Sequence, residues 1–209
     1  MATLSFMDGS AASSVEALHR LRPSFTKAQA QAAGLTPRAL YALRDEGVIV
    51  ELSRGVYRDA QASETIHLDL LAVALRAPAA VVCTESALAL HDLIDDIPAA
   101  VSLAVPRGTR PPTIGYPPVV VSRFAADTFH LGVEQFEAAP GEFVPVYSAA
   151  RSVVDAMRLR HLLGDSLALH ALGRYLRRTR RRDIPELMNL ARALGVEGPV
   201  HAATEAVLA

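Results

Sequence analysis

The fold of the N-terminal part of this chain is decided by residues 25–58, which read FTKAQAQAAGLTPRALYALRDEGVIVELSRGVYR. Thr26 is a favourable N-cap, and Gln29 stands three residues later at the spacing of a capping box, so a helix begins here. Gly34 ends this helix, because glycine readily adopts the left-handed conformation that follows many helix C-termini. Thr36 and Pro37 then start a second helix as its N-cap and first helical residue. The stretch therefore predicts two helices separated by a tight turn.

The second of these helices is followed at once by a predicted β-hairpin. The helix runs to about Glu46 and ends at Gly47. Two β-prone runs, Val48–Val50 and Val56–Tyr57, come next and are joined through Ser53-Arg54-Gly55. A helix, a tight turn, a helix and a hairpin in this order indicate a winged helix-turn-helix, in which the hairpin is the wing.

The segments on either side of this stretch indicate where the N-terminal domain begins and ends. Ser13-Ser14-Val15-Glu16 has the capping-box pattern and predicts a preceding helix that ends before Pro23. The polar segment Asp59–Glu64 reads as a linker. We therefore predict an α+β protein with a winged helix-turn-helix domain over residues 1–60. Over residues 61–209 we predict a mixed α/β domain with a small sheet and a C-terminal helical bundle.

Periodicity and capping residues predict the elements of the second domain. Thr65–Ala77 has the apolar spacing of an amphipathic helix, and Thr84 is the predicted cap of a helix that ends near His91. Between Ala100 and Tyr147 the pattern changes to four short β-type runs, VSLAV, VVVSRF, VEQFEA and FVPVY. The chain is then helical again over Ala149–Leu162, Asp165 to about Arg181, Pro185–Leu194 and a short segment after Pro199.

Composition excludes several classes of protein. A chain of 209 residues with 51% hydrophobic content can bury one sizeable core or two modest ones. No stretch approaches the roughly 18 apolar residues of a membrane span, and the N-terminus lacks the basic and apolar regions of a secretion signal, so we expect a cytoplasmic protein. The single cysteine, Cys83, excludes an internal disulfide and a multi-cysteine metal site, and we expect it to be a small buried residue.

The net charge of −1 hides a strong segregation of charge along the chain. Residues 1–60 carry a net charge of +1 and residues 61–150 a net charge of −6, whereas residues 151–182 carry +7 and residues 183–209 carry −3. A local basic patch governs contact with polyanions more than the charge of the whole chain does. The asymmetry therefore indicates an interaction surface.

If the second helix of the winged segment is a recognition helix, the face opposite its core residues enters the major groove. Arg38 stands in the N-terminal turn of this helix, where base contacts concentrate, and its fork can pair with guanine O6 and N7. We predict phosphate contacts from Lys27, Thr36 and Tyr41, and a backbone or minor-groove contact from Arg54 at the wing tip. The full predicted DNA-binding set is Lys27, Thr36, Arg38, Tyr41, Arg44 and Arg54. Alternatively these are ordinary solvated residues, since winged helices also serve as protein-binding modules.

A second basic patch is predicted near the end of the helix that begins at Asp165. Cations near a helix C-terminus complement the helix dipole, but the number in this run exceeds that need. The run is either a solvated face or a contact for DNA phosphate or an acidic partner protein, and the sequence leaves both readings open. The patch consists of Arg174, Arg177, Arg178 and Arg181, within a run that also includes Arg180 and Arg182.

The sequence carries no signature of an enzyme. It has no Walker loop, Gly-x-Gly-x-x-Gly, His-Glu-x-x-His or Gly-x-Ser-x-Gly motif. Carboxylates such as Asp95 and Glu134 show no acid–base or metal-ligand spacing. The only lysine, Lys27, lies outside the second domain, so the Glu-x-Lys pair of some metal-dependent nucleases is missing, and His67 and His91 are isolated. We predict no catalytic residue, no metal and no cofactor.

Three segments, in their order along the chain, resemble the AbiEi family of antitoxins. They are the winged segment with Gly34-Leu35-Thr36 and Arg54-Gly55-Val56-Tyr57, the segment Ser86-Ala87-Leu88-Ala89-Leu90-His91, and the segment Val146-Tyr147-Ser148-Ala149-Ala150-Arg151-Ser152-Val153-Val154-Asp155. The resemblance extends from about residue 13 to residue 195. Family members often have a glycine after the histidine of the middle segment, where this chain has Asp92. Arg151 and Asp155 lie four residues apart on one helical face and predict a structural ion pair.

The resemblance implies a bipartite protein that is not an enzyme. Its winged domain is expected to bind double-stranded DNA at inverted repeats of its own operator and so to repress a toxin–antitoxin operon. Its larger domain is expected to counteract a cognate toxin with a nucleotidyltransferase fold. Two alternatives remain open. One is a stand-alone winged-helix transcription regulator whose second domain binds a ligand or dimerises, and the other is an enzyme that acts on nucleic acid.

Overall fold

The computed structural model describes residues 14, 16–178 and 183–208, and their helices and strands follow the predicted order. In chain order they are α1 (residues 14 and 16–19), β1 (Ser24–Thr26), α2 (Lys27–Ala32), α3 (Pro37–Asp45), β2 (Ile49–Ser53), β3 (Val56–Asp59), α4 (Leu68–Arg76), β4 (Val81–Val82), α5 (Thr84–Leu90), β5 (Val101–Pro106), β6 (Val119–Phe124), β7 (Val133–Ala139), β8 (Glu142–Tyr147), α6 (Ala149–Arg158), α7 (Arg160–Leu163), α8 (Asp165–Arg177), α9 (Ile184–Ala193) and α10 (Glu197–Leu208).

The chain forms two units, each defined by its internal contacts. The first unit runs to Pro78 and also includes Ile114–Pro117 and Glu137–Phe143. The second unit comprises Ala79–Thr113, Pro118–Phe136 and the C-terminal part from Val144. The architecture is α+β, as predicted. A folding boundary at residue 60 stays a prediction, and the first unit extends past it to include the predicted linker and α4.

The predicted helix pair of the first unit is observed together with its capping residues. The backbone N–H of Gln29 donates to Thr26 Oγ1 over 3.2 Å, and the N–H of Thr26 donates to Gln29 Oε1 over 2.7 Å, which closes the capping box at the start of α2. Gly34 follows this helix with a φ of +99°. Thr36 then caps α3, with Pro37 as its first residue. Local sequence rules therefore place both helices correctly.

The first unit also contains a strand that we did not predict. β1 pairs antiparallel with β3, so that β1, β3 and β2 form a three-stranded sheet in that order. Phe25 and Tyr57 face each other across this pair, and their rings stack with centroids 6.1 Å apart. A strand of three residues directly before a helix has no periodicity of its own, and only its pairing with β3 identifies it.

The second sheet has the strand order β6-β5-β4-β8-β7. Strand β4 pairs antiparallel with β5 and parallel with β8, and β5 pairs parallel with β6. The four predicted β-type runs correspond to β5, β6, β7 and β8, whereas the central strand β4 is only two residues long and was not predicted as a strand. Buried residues of α5, α6, α8, α9 and α10 form one apolar core, which is the predicted C-terminal helical bundle.

Two predicted helices have a different extent in the structure. The predicted helix over Thr65–Ala77 begins only at Leu68, because the backbone N–H of His67 donates to Thr65 Oγ1 over 3.0 Å in a local turn that competes with the helix. The predicted helix over Ala149–Leu162 is interrupted at Leu159 and divides into α6 and α7. At this break the Arg160 side chain donates to the carbonyl oxygen of Met157 over 2.7 Å.

The last predicted helix begins earlier than expected, and part of the helix predicted from Asp165 lies outside the described residues. Helix α10 starts at Glu197, so Pro199 lies in the first turn, where a missing N–H costs no hydrogen bond. Helix α8 is described to Arg177, so the predicted extension to Arg181 lies outside the described residues. The predicted cap Ser13 and its neighbour Val15 lie outside them as well.

Helix α5 differs from the prediction at its start and is followed by a residue in the left-handed conformation. Thr84 is the first residue of the helix, with a φ of +41°, and Cys83 holds the N-cap position. After the helix, Asp92 has a φ of +53°. The N–H groups of Asp92 and Leu93 donate to the carbonyl oxygens of Ala89 and Leu88, which is a Schellman motif. The left-handed conformation that Asp92 adopts is one that favours glycine.

Each unit buries one arginine–carboxylate cluster. In the first unit, Arg58 and Glu142 form a buried ion pair. Glu142 Oε1 also accepts the backbone N–H of Ser24 over 2.9 Å, and Arg58 Nη2 donates to the carbonyl oxygen of Ser63 over 2.8 Å. We did not predict this cluster, since its two ionic partners are 84 positions apart in the sequence.

In the second unit the predicted pair of Arg151 and Asp155 is confirmed. Arg151 Nε donates to Asp155 Oδ2 over 2.9 Å, and both side chains are fully buried. Arg158 Nη2 donates to the other carboxylate oxygen over 2.8 Å. Arg151 Nη1 reaches the carbonyl oxygens of Thr128 and Leu131, so the guanidinium holds a loop onto α6.

Candidate nucleic-acid interface

Helix α3 presents one face to the core of its unit and the other to solvent. Its N-cap Thr36 accepts the backbone N–H of Ala39 over 3.1 Å, which orients the first turn. Leu40 and Leu43 are buried against α2 and the sheet. Arg38 is exposed near the start of the helix, as the predicted role in base contact requires.

The wing is the hairpin of β2 and β3, and its tip is the turn formed by Arg54 and Gly55. Gly55 has a φ of +76°, a backbone conformation that favours glycine. The backbone N–H of Gly55 donates to Glu51 Oε1 over 2.9 Å, and the carbonyl oxygen of Gly55 accepts the backbone N–H of Lys27 over 2.9 Å. These bonds fix the turn against the start of α2 and leave Arg54 exposed at its tip.

A groove of about 1020 Å³ lies between the wing and α3. Four of the six predicted residues line it: Lys27, Tyr41, Arg44 and Arg54. Three charged residues that we did not predict line it as well, namely Asp45, Glu51 and Arg76. Arg76 belongs to the last turn of α4, where a cation is also explained by the helix dipole, so the sequence offered no specific signal for it.

Tyr41 joins two of the predicted cations within this groove. Lys27 Nζ donates to the Tyr41 hydroxyl over 3.0 Å and lies 5.2 Å from the centre of its ring. The guanidinium carbon of Arg44 lies 5.1 Å from the same ring centre. The hydrogen bond that Lys27 donates to the Tyr41 hydroxyl raises the pKa of Lys27. The ring therefore gathers two positive charges at the side of α3.

Arg44 is engaged by two carboxylates. Its Nε and Nη2 donate to Asp45 Oδ1 over 3.0 and 2.7 Å, and its Nη1 lies 3.6 Å from Glu51 Oε2. The hydrogen bond with Asp45, followed by the charges of Asp45 and Glu51, raises the pKa of Arg44. The predicted DNA-binding residue Arg44 thus already has anionic partners within its own unit.

The remaining predicted residues, Thr36 and Arg38, lie at the N-terminal end of α3 and are not among the residues that line the groove. Thr36 is exposed, and its hydroxyl oxygen is occupied as the acceptor of the N-cap bond. The predicted residues therefore fall into two places, the start of α3 and the groove beside the wing.

The predicted second basic patch on α8 is partly engaged within its own unit. Arg174 Nη1 donates to Asp95 Oδ1 over 2.5 Å, and this bond lowers the pKa of Asp95. The guanidinium of Arg177 lies over Gly173 of the same helix. Arg178 follows α8 in an extended conformation, and Arg181 lies outside the described residues.

Residues of the types that serve in catalysis or metal binding have structural partners. His91 Nε2 lies 2.8 Å from the carbonyl oxygen of Tyr147, and Glu134 is 3.6 Å away. Cys83 is buried, as predicted, and burial raises its pKa to about 12. Among the residues described, no three His, Cys, Asp or Glu side chains come together as a metal site, and no helix is long and apolar enough to cross a bilayer.

Comparisons with known proteins support the resemblance at the N-terminus. Residues 13–58 match the sequence profile of the family described as transcriptional regulator, AbiEi antitoxin. The resemblance that we predicted is thereby confirmed over this segment, and the family it matches is regulatory. The crystal structure of the RV2827C protein from Mycobacterium tuberculosis has a similar fold, with a TM-score of 0.59 and 18% sequence identity over 96% of this chain and 80% of that chain. The search of curated proteins gives no match.

Proposed function

We propose that this protein is a DNA-binding autorepressor and antitoxin that does not act as an enzyme. The observation that carries the proposal is the meeting of Lys27, Tyr41, Arg44 and Arg54 in one groove beside α3, within the segment that matches the AbiEi regulators. In this proposal Arg38 reads a base and the groove holds the phosphate backbone. Two copies bind inverted repeats of the operator, which adds affinity that a weakly charged domain does not supply alone.

The DNA-binding part is tested by titrating the upstream region of the gene and a scrambled duplex of the same length. Arg38→Ala is expected to weaken operator binding by about 1–3 kcal/mol and to reduce the preference over the scrambled duplex. Arg54→Ala is expected to weaken binding to both duplexes alike. Arg22→Ala, at an exposed position outside the groove, is the matched control. Unchanged affinity of both variants at several salt concentrations would contradict these residue roles.

The regulatory and antitoxin parts need cellular readouts. A reporter behind the operator is expected to be repressed by the wild-type protein and released by Arg38→Ala. Co-expression with the neighbouring gene, where it encodes a nucleotidyltransferase-like toxin, is expected to restore growth, and a pull-down then shows whether a direct complex forms. Growth arrest that persists despite co-expression would instead favour a stand-alone regulator. The arginines Arg174, Arg177, Arg178 and Arg181 stay a predicted second contact.

The enzyme alternative has its own test. Purified protein is incubated with DNA and Mg²⁺ or Mn²⁺. We expect no cleavage, and cleavage that disappears in Asp95→Ala would overturn the proposal. We expect the substitution to leave the protein folded, because Asp95 is exposed and surface ion pairs such as its pair with Arg174 contribute little to stability.

A further inference from the structure

The groove beside the wing combines cations with carboxylates at close range. Lys27, Arg44, Arg54 and Arg76 line it together with Asp45 and Glu51. A surface that only bound phosphate would gain affinity without the two carboxylates, since each of them repels a polyanion. Their contacts with Arg44 indicate that they have a role in how tightly this groove binds.

Arg44 contacts two carboxylates with the same guanidinium edges that would bind another anion. Its guanidinium donates two hydrogen bonds to one carboxylate oxygen of Asp45 and faces Glu51 on another edge. Glu51 is itself fixed, because its other carboxylate oxygen accepts the backbone N–H of Gly55 at the wing tip. The side chain of Glu51 is 31% exposed and lines the groove.

We infer that Asp45 and Glu51 compete with DNA phosphate for Arg44, and that Arg76 of α4 extends the phosphate contacts of the groove beyond the helix-turn-helix. This inference rests on the proposed function. Arg76 lies outside the segment 13–58 that matches the regulator family, yet it lines the same groove as Lys27 and Arg54.

The competition has a defined physical consequence. A phosphate can occupy the Arg44 fork only after Asp45 and Glu51 release it, and both carboxylates then face the DNA backbone. This cost is independent of base sequence, so it lowers binding to every duplex by the same factor. Base contacts from the start of α3 then contribute a larger share of the total binding free energy. The carboxylates therefore set the overall affinity without setting the preference for the operator.

The competition is tested with Glu51→Gln, since the amide oxygen can still accept the Gly55 N–H while the charge is removed. The operator and a scrambled duplex are titrated over a range of salt concentrations. We expect several-fold tighter binding to both duplexes, an unchanged ratio between them, and a steeper dependence of log K on log salt, by up to about 0.9. Glu46→Gln, which removes an exposed carboxylate next to α3 that does not line the groove, is the control. Equal effects of the two substitutions, or no gain with Glu51→Gln, would overturn the competition.

The contribution of α4 is tested with Arg76→Gln. We expect weaker binding to both duplexes and a salt dependence that is shallower by about 0.9, the value for one lost phosphate contact. Arg22→Gln removes the same charge from an exposed position outside the groove and is expected to change little. If both arginine variants have the same salt dependence, Arg76 is not a phosphate contact.

These outcomes separate the inference from the function on which it rests. If the wild-type protein binds no DNA, the proposed function fails. If it prefers its operator but Glu51→Gln and Arg76→Gln match their controls, only the inference fails. Circular dichroism of each variant confirms that the fold is retained, and the opposite directions expected for the two substitutions exclude a common loss of structure as the explanation.

Discussion

The two buried arginine–carboxylate clusters differ in how their partners are brought together. Arg151 and Asp155 are four residues apart on α6, so the helix itself places them in contact. Arg58 and Glu142 lie on β3 and β8, and only the tertiary fold of the first unit joins them. Both clusters pair a buried arginine with a buried carboxylate. In one cluster the partners are neighbours on a helix, and in the other they are far apart in the sequence.

This difference also affects what each cluster holds in place. Arg151 is fully buried, and beyond Asp155 its guanidinium donates to the carbonyl oxygens of Thr128 and Leu131. Arg58 instead joins three parts of the first unit, since it contacts Glu142, the Ser24 hydroxyl and the Ser63 carbonyl oxygen. Loss of a carboxylate should therefore affect each unit separately.

The largest effect is expected from Asp155→Ala. The substitution leaves Arg151 buried without a counter-ion, so we expect a loss of about 3–5 kcal/mol in the free energy of unfolding. Urea denaturation measures this loss. The thiol of Cys83 reports on the second unit, because burial raises its pKa to about 12 and keeps it unreactive until that unit opens. Faster labelling of Cys83 is expected, and wild-type stability would show that the pair is dispensable.

A slightly smaller effect is expected from Glu142→Ala. Arg58 keeps its bonds to the Ser24 hydroxyl and the Ser63 carbonyl oxygen, but the backbone N–H of Ser24 loses its acceptor. We expect a loss of about 3 kcal/mol. Glu142→Gln, which retains an acceptor, should lose less. Per kcal/mol of stability lost, the rate of Cys83 labelling should rise less in Glu142→Ala than in Asp155→Ala, because Glu142 belongs to the first unit and Cys83 to the second. An equal rise per kcal/mol would show that the two units unfold together.

The third prediction is that the effect of Arg58→Met on stability changes sign between two backgrounds. In the wild-type background, Arg58→Met leaves the buried Glu142 without a counter-ion and should destabilise the protein. In a Glu142→Leu background, the same substitution removes a buried charge that has lost its counter-ion and should stabilise by about 1–2 kcal/mol. Thermal unfolding of the four proteins, followed by circular dichroism, measures both changes. The same sign in both backgrounds would mean that Glu142 is not the partner that matters.

The smallest effect is expected at the residue that follows a helix, where the backbone conformation is determined by neighbouring residues. Asp92→Gly should stabilise the protein by up to about 1 kcal/mol, because glycine adopts the left-handed conformation after α5 without strain. Gly34→Asp is the opposite change at the equivalent position after α2, where no atom crowds the site. It should destabilise by a similar amount. Chemical denaturation of the pair checks whether the two effects have opposite signs.

The candidate DNA-binding site shows the same division between local and distant information. Lys27, Tyr41, Arg44 and Arg54 were predicted because helical spacing and turn residues place them around α3 and the wing, and they do line one groove. Asp45 and Glu51 were within the same stretch, but nothing in their spacing indicated that they would engage Arg44. Arg76 lies on a helix whose packing against the wing sheet has no sequence signature.

The sequence by itself determined the helix pair, the wing, the four main strands of the second sheet and the Arg151–Asp155 pair. Capping boxes, glycine and proline positions, and the periods of helix and strand all act over a few residues, so they can be read from the chain directly. The tertiary structure alone decided β1, the central strand β4, the Arg58–Glu142 cluster and the place of Arg76 in the groove. Each of these depends on partners far away in the sequence. The propensities of a short segment do not indicate which distant residues it will contact.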